Sequence, residues 1–447
     1  MDMHTIGKHD EIAIFREQHS DKLVRPLFFE RVLQIIAGEK NPLVRHGEDN
    51  ALAKNAGIKR SLSPTVIIGK TASVSERHTD KIIDGWINDF EKGKGDPVDI
   101  PETINRITIA VSSEIMFGKS FSNEDITSYD YNLNKSQKIA LAAFKEYQAA
   151  IFSGNVNPRD LSKIEEYIPK EVHDFAQKNK DIVAKMVDER LAIKVSEKYT
   201  DVLQAVIENS HVNQPNRASD INRQEIIDYM VGLTNAAHAS PSIGVVGALS
   251  HLYGLENASM LECVRDEKVE IDGEMYSLKS KCSTQSGAKL YDQFARKLNS
   301  IAGAISESLR KYTPIDRSVN IVVRPFVFND KDYTPGQLIN FDIHAAHNKD
   351  KEKWGESIEK FNPFRENFGN NPSYRNVPLA YAADKAKHRR NCLGNAMADT
   401  MMRSILSKIV ARLDLNITEK TIKYIRGKTV LAGFEEGKFF SKIIPRS

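Results

Sequence analysis

Cysteine is scarce: three in 447 residues, Cys263, Cys282 and Cys392, and no two form a CxxC pair. At least one is left unpaired, so there is no disulfide framework, and the usage suits a reducing compartment. Long apolar runs are missing too; nothing approaches the ~18 consecutive residues a membrane helix needs. The opening MDMHTIGKHDEIAIF lacks the charged and apolar regions of a signal peptide. The chain as given is expected to be soluble and intracellular, with membrane association open if an N-terminal anchor precedes it. Charge of one sign is also lacking. The net value is +3, too balanced to argue for nucleic acid or a polybasic membrane contact. No linker-like stretch, repeat or low-complexity tract divides the chain, so residues 1–447 are expected to form one large domain. At 40% hydrophobic and 28% charged residues, its composition is that of a globular protein.

Several catalytic signatures are absent. No GxGxxG or GxSxG occurs, which leaves dinucleotide-binding and hydrolase readings without support. VIIGKTAS holds Gly69-Lys70-Thr71, the tail of a phosphate loop, but Pro64 stands where the first glycine is needed. His344 and His347 in HAAH lack a third ligand at zinc spacing and read as structural or surface histidines. Cys263 and Cys282 read as ordinary thiols. The basic cluster Lys385, Lys387, His388, Arg389 and Arg390 is short and lacks the interleaved aromatics of a nucleic-acid surface.

What is present is mostly helical. Apolar residues at three- and four-residue spacing predict helices over Ile82–Phe90, Glu102–Met116 and Phe175–Ser196. Longer ones are predicted from about Asn222 to Tyr253 and from about Gly287 to Tyr312. VNIVVRPFVF and GQLINFDIHA then read as strands joined through Pro335-Gly336. A last helix is predicted to start near Cys392, with Met397, Met401, Ile405, Ile409 and Leu413 on a core face. The fold class is mainly α with a small β region.

Four stretches cohere around Cys392. A cysteine that opens a helix has free N–H groups and a positive helix end aimed at its sulfur, which favours the thiolate, the metal-ligating form. Gly394 removes a side chain where something flat must approach, and Arg390 can pair with an anionic group. A haem meets all three demands. Glu307 and Arg310 stand three apart on one helix face, by themselves an ordinary surface pair. Arg365 follows an aromatic and a proline in KWGESIEKFNPFRE. In NAAHASPS, small Ala236 and Ala237 precede His238, Ser240 and the helix-kinking Pro241.

In order and wording these stretches resemble the cytochrome P-450 superfamily of haem-thiolate monooxygenases. Glu307-Ser308-Leu309-Arg310 matches its ExxR helix motif, and TPGQLINFDIHAAHNKDKEKWGESIEKFNPFRE resembles the sheet and meander that follow it. RRNCLGNAMA matches the end of its cysteine signature, and INRITIAVSSEIMFGKSF resembles a further helix. The resemblance implies a helical prism around haem b. Cys392 would be the axial ligand, with Glu307, Arg310 and Arg365 as the salt-bridged triad. Arg390, Lys59 and Arg317 would meet propionates, and Ser240 and His238 would lie on the distal side. It also implies insertion of one oxygen atom from O2 into a small or medium hydrophobic substrate. Electrons would come from an NADPH-dependent reductase or a ferredoxin, with no nucleic-acid partner, and the protein is expected to be a monomer.

Three departures from the family pattern stand out. Lys385 and His388 occupy the positions of an expected aromatic and glycine before the cysteine. The central helix reads Ala236-Ala237-His238-Ala239-Ser240, without the usual acid and with serine for threonine. The usual first helix and first strand are expected to be missing. These departures motivate two alternatives: a peroxygenase or hydroperoxide isomerase or dehydratase, and a degenerate, non-catalytic haem-binding protein.

Overall fold

The structure, a computed structural model, describes residues 3–39, 62–156, 160–193, 201–211, 223–254, 257–279, 293–295, 297–365, 392–417, 424–425, 433–434 and 439–446. The first helices are α1 (His9–His19), α2 (Leu27–Ala37), α3 (Pro64–Glu91), α4 (Ile100–Phe117) and α5 (Asn123–Phe152). They are followed by α6 (Leu161–Tyr167), α7 (Lys170–Ala192), α8 (Val202–His211), α9 (Arg223–Leu252) and α10 (Ala258–Asp266). The last are α11 (Asn299–Lys311), α12 (Ile343–Asn348), α13 (Lys351–Trp354) and α14 (Asn395–Arg412).

Local chemistry sets several helix ends. Asp99 caps α4, its side chain accepting from Glu102 N at 3.1 Å, and Gly118 closes the helix in the left-handed region at φ 78°. Ser122 caps α5 by accepting from Asp125 N at 3.1 Å. Pro64 starts α3, where a missing N–H costs nothing.

The helix predicted over Ile82–Phe90 is only the last third of α3. Its first part buries Thr71, Ser75 and Thr79, a polar stripe at four-residue spacing that a search for apolar periodicity passes over. Gly69-Lys70-Thr71 therefore lies inside a helix, not in a phosphate-cradling loop. Asn123–Phe152 is likewise helical without a strong apolar stripe to announce it.

Helix α9 packs on α4, α11 and α14, while α14 is also held against α3. This double contact explains a difference from the predicted one-sided helix. Met397, Met401, Ile405, Ile409 and Leu413 are buried as expected, yet so are Arg403, Ser404, Ser407 and Lys408. The polar ones are satisfied in place: Lys408 Nζ donates to Asp80 at 2.9 Å and Ser407 Oγ to the Arg403 carbonyl at 2.6 Å.

Strands β1 (Met3–Ile6), β2 (Leu23–Val24), β3 (Val98–Asp99), β4 (Val269–Ile271) and β5 (Glu274–Tyr276) precede β6 (Ser318–Val322), β7 (Phe326–Phe328), β8 (Lys331–Tyr333) and β9 (Leu338–Phe341). The main sheet runs β1-β9-β6-β2, with β1 parallel to β9 and the other pairs antiparallel. The strand run predicted over VNIVVRPFVF breaks at Arg324-Pro325, and β7–β8 forms a hairpin of its own. Asn329 and Asp330 turn it with φ 47° and 55°, the positive pair that a two-residue hairpin needs. Near the C-terminus, β10 (Leu413–Ile417) is followed by a two-stranded ribbon of β11 (Tyr424–Ile425) and β12 (Gly433–Phe434). The last strand, β13 (Phe440–Pro445), joins β10 and β3.

Candidate functional site

Glu307 and Arg310 are not a surface pair. Both side chains are fully buried on α11, and Arg310 Nε and Nη2 donate to Glu307 Oε2 and Oε1, each at 2.8 Å. Arg365 comes in from beyond α13 and donates from Nη2 to Glu307 Oε1 at 3.0 Å. A buried carboxylate with two guanidiniums needs further partners, and they are supplied by backbone. Asn362 N donates to Glu307 Oε1 at 3.1 Å. Arg310 donates to the His347 and Ile358 carbonyls at 2.7 Å each, and Arg365 Nη1 to the Trp354 carbonyl at 2.8 Å.

The approach of the Asn362–Arg365 segment depends on Gly303, one turn before Glu307. A Cβ there would stand 1.8 Å from the Pro363 carbonyl oxygen. In the sequence the only trace of this contact is the four-residue spacing of Gly303 and Glu307 on one helix face. His347 is buried beside this cluster, its pKa held well below the ordinary value by burial and by His9 and Arg310. The HAAH histidines are thus structural in part, and no metal-holding group of three or more His, Cys, Asp or Glu exists among the described residues.

Helix α14 begins three residues after Cys392, with Gly394 as its N-cap. By surface area Cys392 is exposed, while the protein mass around it desolvates the thiolate and pushes the thiol pKa up. Backbone N–H groups of Gly394 and Asn395 act the other way, hydrogen-bonding the sulfur and lowering its pKa. A Cβ built on Gly394 meets nothing within 4 Å among the described residues.

On α9, every residue from Ile226 to Leu249 is buried except Asn235, Ala236, Ala239 and Ser240. These lie at helical spacing and form one accessible strip of mostly small side chains. Ser240 is therefore on that strip. His238, the other residue expected on the distal side, is not on that strip. Its ring is buried, edge-on to Tyr129 with centroids 6.0 Å apart, and Nδ1 lies 3.0 Å from the Thr234 carbonyl. Burial pushes its pKa down. The physical reason is angular: position 238 points away from the face shared by 236, 239 and 240. Asn235 was not singled out in the sequence. It accepts from the Tyr129 hydroxyl and donates from Nδ2 to the Ile36 carbonyl at 3.2 Å, tying α5 and α2 to α9.

Of the remaining expected residues, Arg317 is half exposed and donates to neighbouring Asp316 at 3.2 Å. Arg390, Lys59, Lys385 and His388 lie outside the described residues.

A family model described as Cytochrome P450 matches residues 49–438. The chain belongs to the cytochrome P450 family. It is 23% identical over 369 residues to a protein named cytokinin hydroxylase from Arabidopsis thaliana, a match covering 81% of this chain and 65% of that protein. It is 25% identical over 155 residues to cytochrome P450 CYP94D108 from Paris polyphylla, covering 34% of this chain and 30% of that one. With cytochrome P450 9b2 from Drosophila melanogaster it shares 26% identity over 172 residues, 36% and 32% of the two chains. The chain spans less than two thirds of the length of these relatives.

A cytochrome P450 carries haem on a cysteine thiolate, and the residues of this chain fit that group. The donor is a thiol that already receives backbone N–H groups, the space beside Gly394 is open, and α9 turns a strip of small side chains outward. No described helix is long and apolar enough to cross a membrane.

Proposed function

We propose that this cytochrome P450 is a haem-thiolate monooxygenase that places one oxygen atom from O2 into a small or medium hydrophobic molecule. Its electrons would come from an NADPH-dependent reductase or a ferredoxin, and the protein would act as a monomer. The observation that carries the reading is Cys392: accessible, at the start of α14, and bonded by the N–H groups of Gly394 and Asn395. Its thiolate would hold the iron, with Arg390, Lys59 and Arg317 as the candidate propionate partners. When bound, the haem supplies oxygen activation, which a thiolate ligand favours.

The chain's own contribution on the other side is spare. Ser240 would donate a hydrogen bond from the accessible strip. Ala239, beside it, has no proton to give, and His238 is committed elsewhere. That poverty of proton donors supports a second reading, a peroxygenase or hydroperoxide isomerase or dehydratase, which needs no such relay. The buried triad of Glu307, Arg310 and Arg365 would steady the cysteine side of the molecule.

The test is the absorption spectrum of the reduced, carbon-monoxide-bound protein. A strongly red-shifted Soret band, lost in Cys392→Ala, is expected; a Soret band unchanged by that substitution ends the proposal. Turnover with a reductase, set against turnover with a peroxide alone, then separates the two readings.

A further inference from the structure

The join between β1 and α1 rests on α12 and α13 through His9. Its ring is 1% exposed and stacks on that of His347, 2% exposed, with centroids 6.1 Å apart. Trp354 stands edge-on to both, 5.8 Å from His9 and 6.0 Å from His347, and the Arg310 guanidinium lies over its indole at 5.5 Å. Backbone closes the contact: His9 N donates to Asp350 Oδ2 at 3.0 Å.

Hydrogen bonding settles which nitrogen of each ring is basic. His9 Nδ1 lies 3.0 Å from Asp10 Oδ1, and a carboxylate only accepts, so Nδ1 carries the hydrogen. Thr313 Oγ1 gives its one hydrogen to the Arg310 carbonyl at 3.1 Å and therefore accepts from His347 Nδ1 at 3.2 Å. The basic nitrogen is then Nε2 in both rings. Both Nε2 atoms are buried, and that of His347 has no partner among the described residues. A proton placed on it would make a buried cation with no acceptor, close to Arg310. The charged groups around the pair do not cancel this cost. Asp10 and Asp350 favour a proton on His9, against burial and Lys353, which pairs with Asp10 at 2.6 Å. His347 faces Arg310, His344 and His9, and burial adds to their effect. Both histidines are held below the ordinary value.

We propose that the β1–α1 join is an acid-released clasp: His9 closes over His347 and Trp354 while both imidazoles are neutral, and lifts away when either takes up a proton. Phe15, further along α1, stays packed against Phe328 at 4.7 Å and Phe341 at 5.3 Å and serves as the pivot. Because Arg310 donates to the His347 carbonyl, the clasp bears on the buried triad. The closed rings refuse a proton that released rings accept near pH 6.5. The closed form is therefore complete above that value and loses ground as the pH falls below it. Asp10, held below the usual carboxylate range by Lys353 and His9, titrates outside this interval. The clasp is independent of the oxygen chemistry proposed above.

The test is hydrogen exchange of the full chain at pH 7.5 and 5.5, with rates corrected for the intrinsic effect of pH. Residues 7–13 are compared with α14. Each histidine freed by opening raises the open population about tenfold across that interval, so protection over 7–13 should fall about a hundredfold relative to α14. His9→Phe keeps a stacked ring and removes one base. Protection at pH 7.5 should hold in that variant, and the fall should shrink to about tenfold. His347→Phe should act alike, and the double variant should abolish the fall; if His347→Phe does not fold, His9→Phe alone decides. A histidine that only packs predicts the opposite pattern, lower protection at pH 7.5 with the same pH dependence. That pattern, equal falls in residues 7–13 and α14, or a fall that His9→Phe leaves intact would each overturn the proposal.

Discussion

Glu307 and Arg365 stand 58 positions apart in the chain and meet with Arg365 Nη2 donating to Glu307 Oε1 at 3.0 Å. Neither is accessible to solvent to any useful degree, and each has its remaining polar atoms directed mainly at backbone. Breaking such a pair strands a buried charge. Glu307→Ala or Arg365→Ala is expected to destabilise the fold by about 3–5 kcal/mol. Denaturant unfolding checks this, and a loss below about 1 kcal/mol would mean that the pair is not closed in solution.

Two glycines on helices make opposite predictions. Gly303→Ala drives a methyl group into the Pro363 carbonyl and should cost at least about 1–3 kcal/mol, because backbone cannot swing aside as a side chain can. In α3, a Cβ at Gly85 meets nothing within 4 Å, so Gly85→Ala should stabilise by about 0.5–1 kcal/mol. Thermal midpoints of the two variants should move in opposite directions. Movement in the same direction refutes the contact at Gly303.

Acid should weaken the fold. His251 stacks on Phe361 at 4.4 Å, and burial, then the charge of Lys311, lower its pKa from the ordinary 6.5 to about 4. Between those values the unfolded chain takes up a proton that the folded one refuses. Stability is therefore present above about pH 6.5 and falls as the pH drops towards 4, by about 3 kcal/mol from this residue alone. His347, buried and held low for the same reason, adds to the trend. Unfolding free energies measured from pH 7 to 4.5 should decline, and His251→Phe should flatten the decline. An unchanged slope in that variant removes His251 as its source.

Proton supply is the fourth prediction. In a reconstituted assay the unaltered protein should release more peroxide per NADPH than a family member with an acid beside its distal hydroxyl. Ala239→Asp restores a carboxylate on the accessible strip, and product formed per NADPH should rise severalfold. His238→Phe, by contrast, should leave the pH profile of turnover in place and cost about 1 kcal/mol of stability through the lost bond to Thr234. Near-complete coupling in the unaltered protein, or a shifted pH profile in His238→Phe, contradicts this account.

Much of the site could be read along the chain because its signals are local. Cys392 and Gly394 are two residues apart, and Glu307 and Arg310 share one helix face whatever surrounds them. Gly303 and Asn235 were harder, since each matters through a partner far away in sequence: Pro363 in one case, Tyr129 and Ile36 in the other. The polar stripe Thr71, Ser75 and Thr79 hid most of α3, because apolar periodicity passes over buried hydroxyls, of which Thr79 Oγ1 donates to the Ser75 carbonyl of its own helix at 2.7 Å.

By itself the amino-acid sequence determined that helices run through most of α4, α7 and α9, and that a thiol would stand just ahead of α14. Those outcomes depend on dihedral preference, capping and periodicity, which act over a few residues. Only the tertiary structure decided that Glu307 is buried with two arginines, and that His238 faces Tyr129 while Ser240 faces outward. Each of these depends on which distant surfaces are pressed together, and short-range preference carries no information about that.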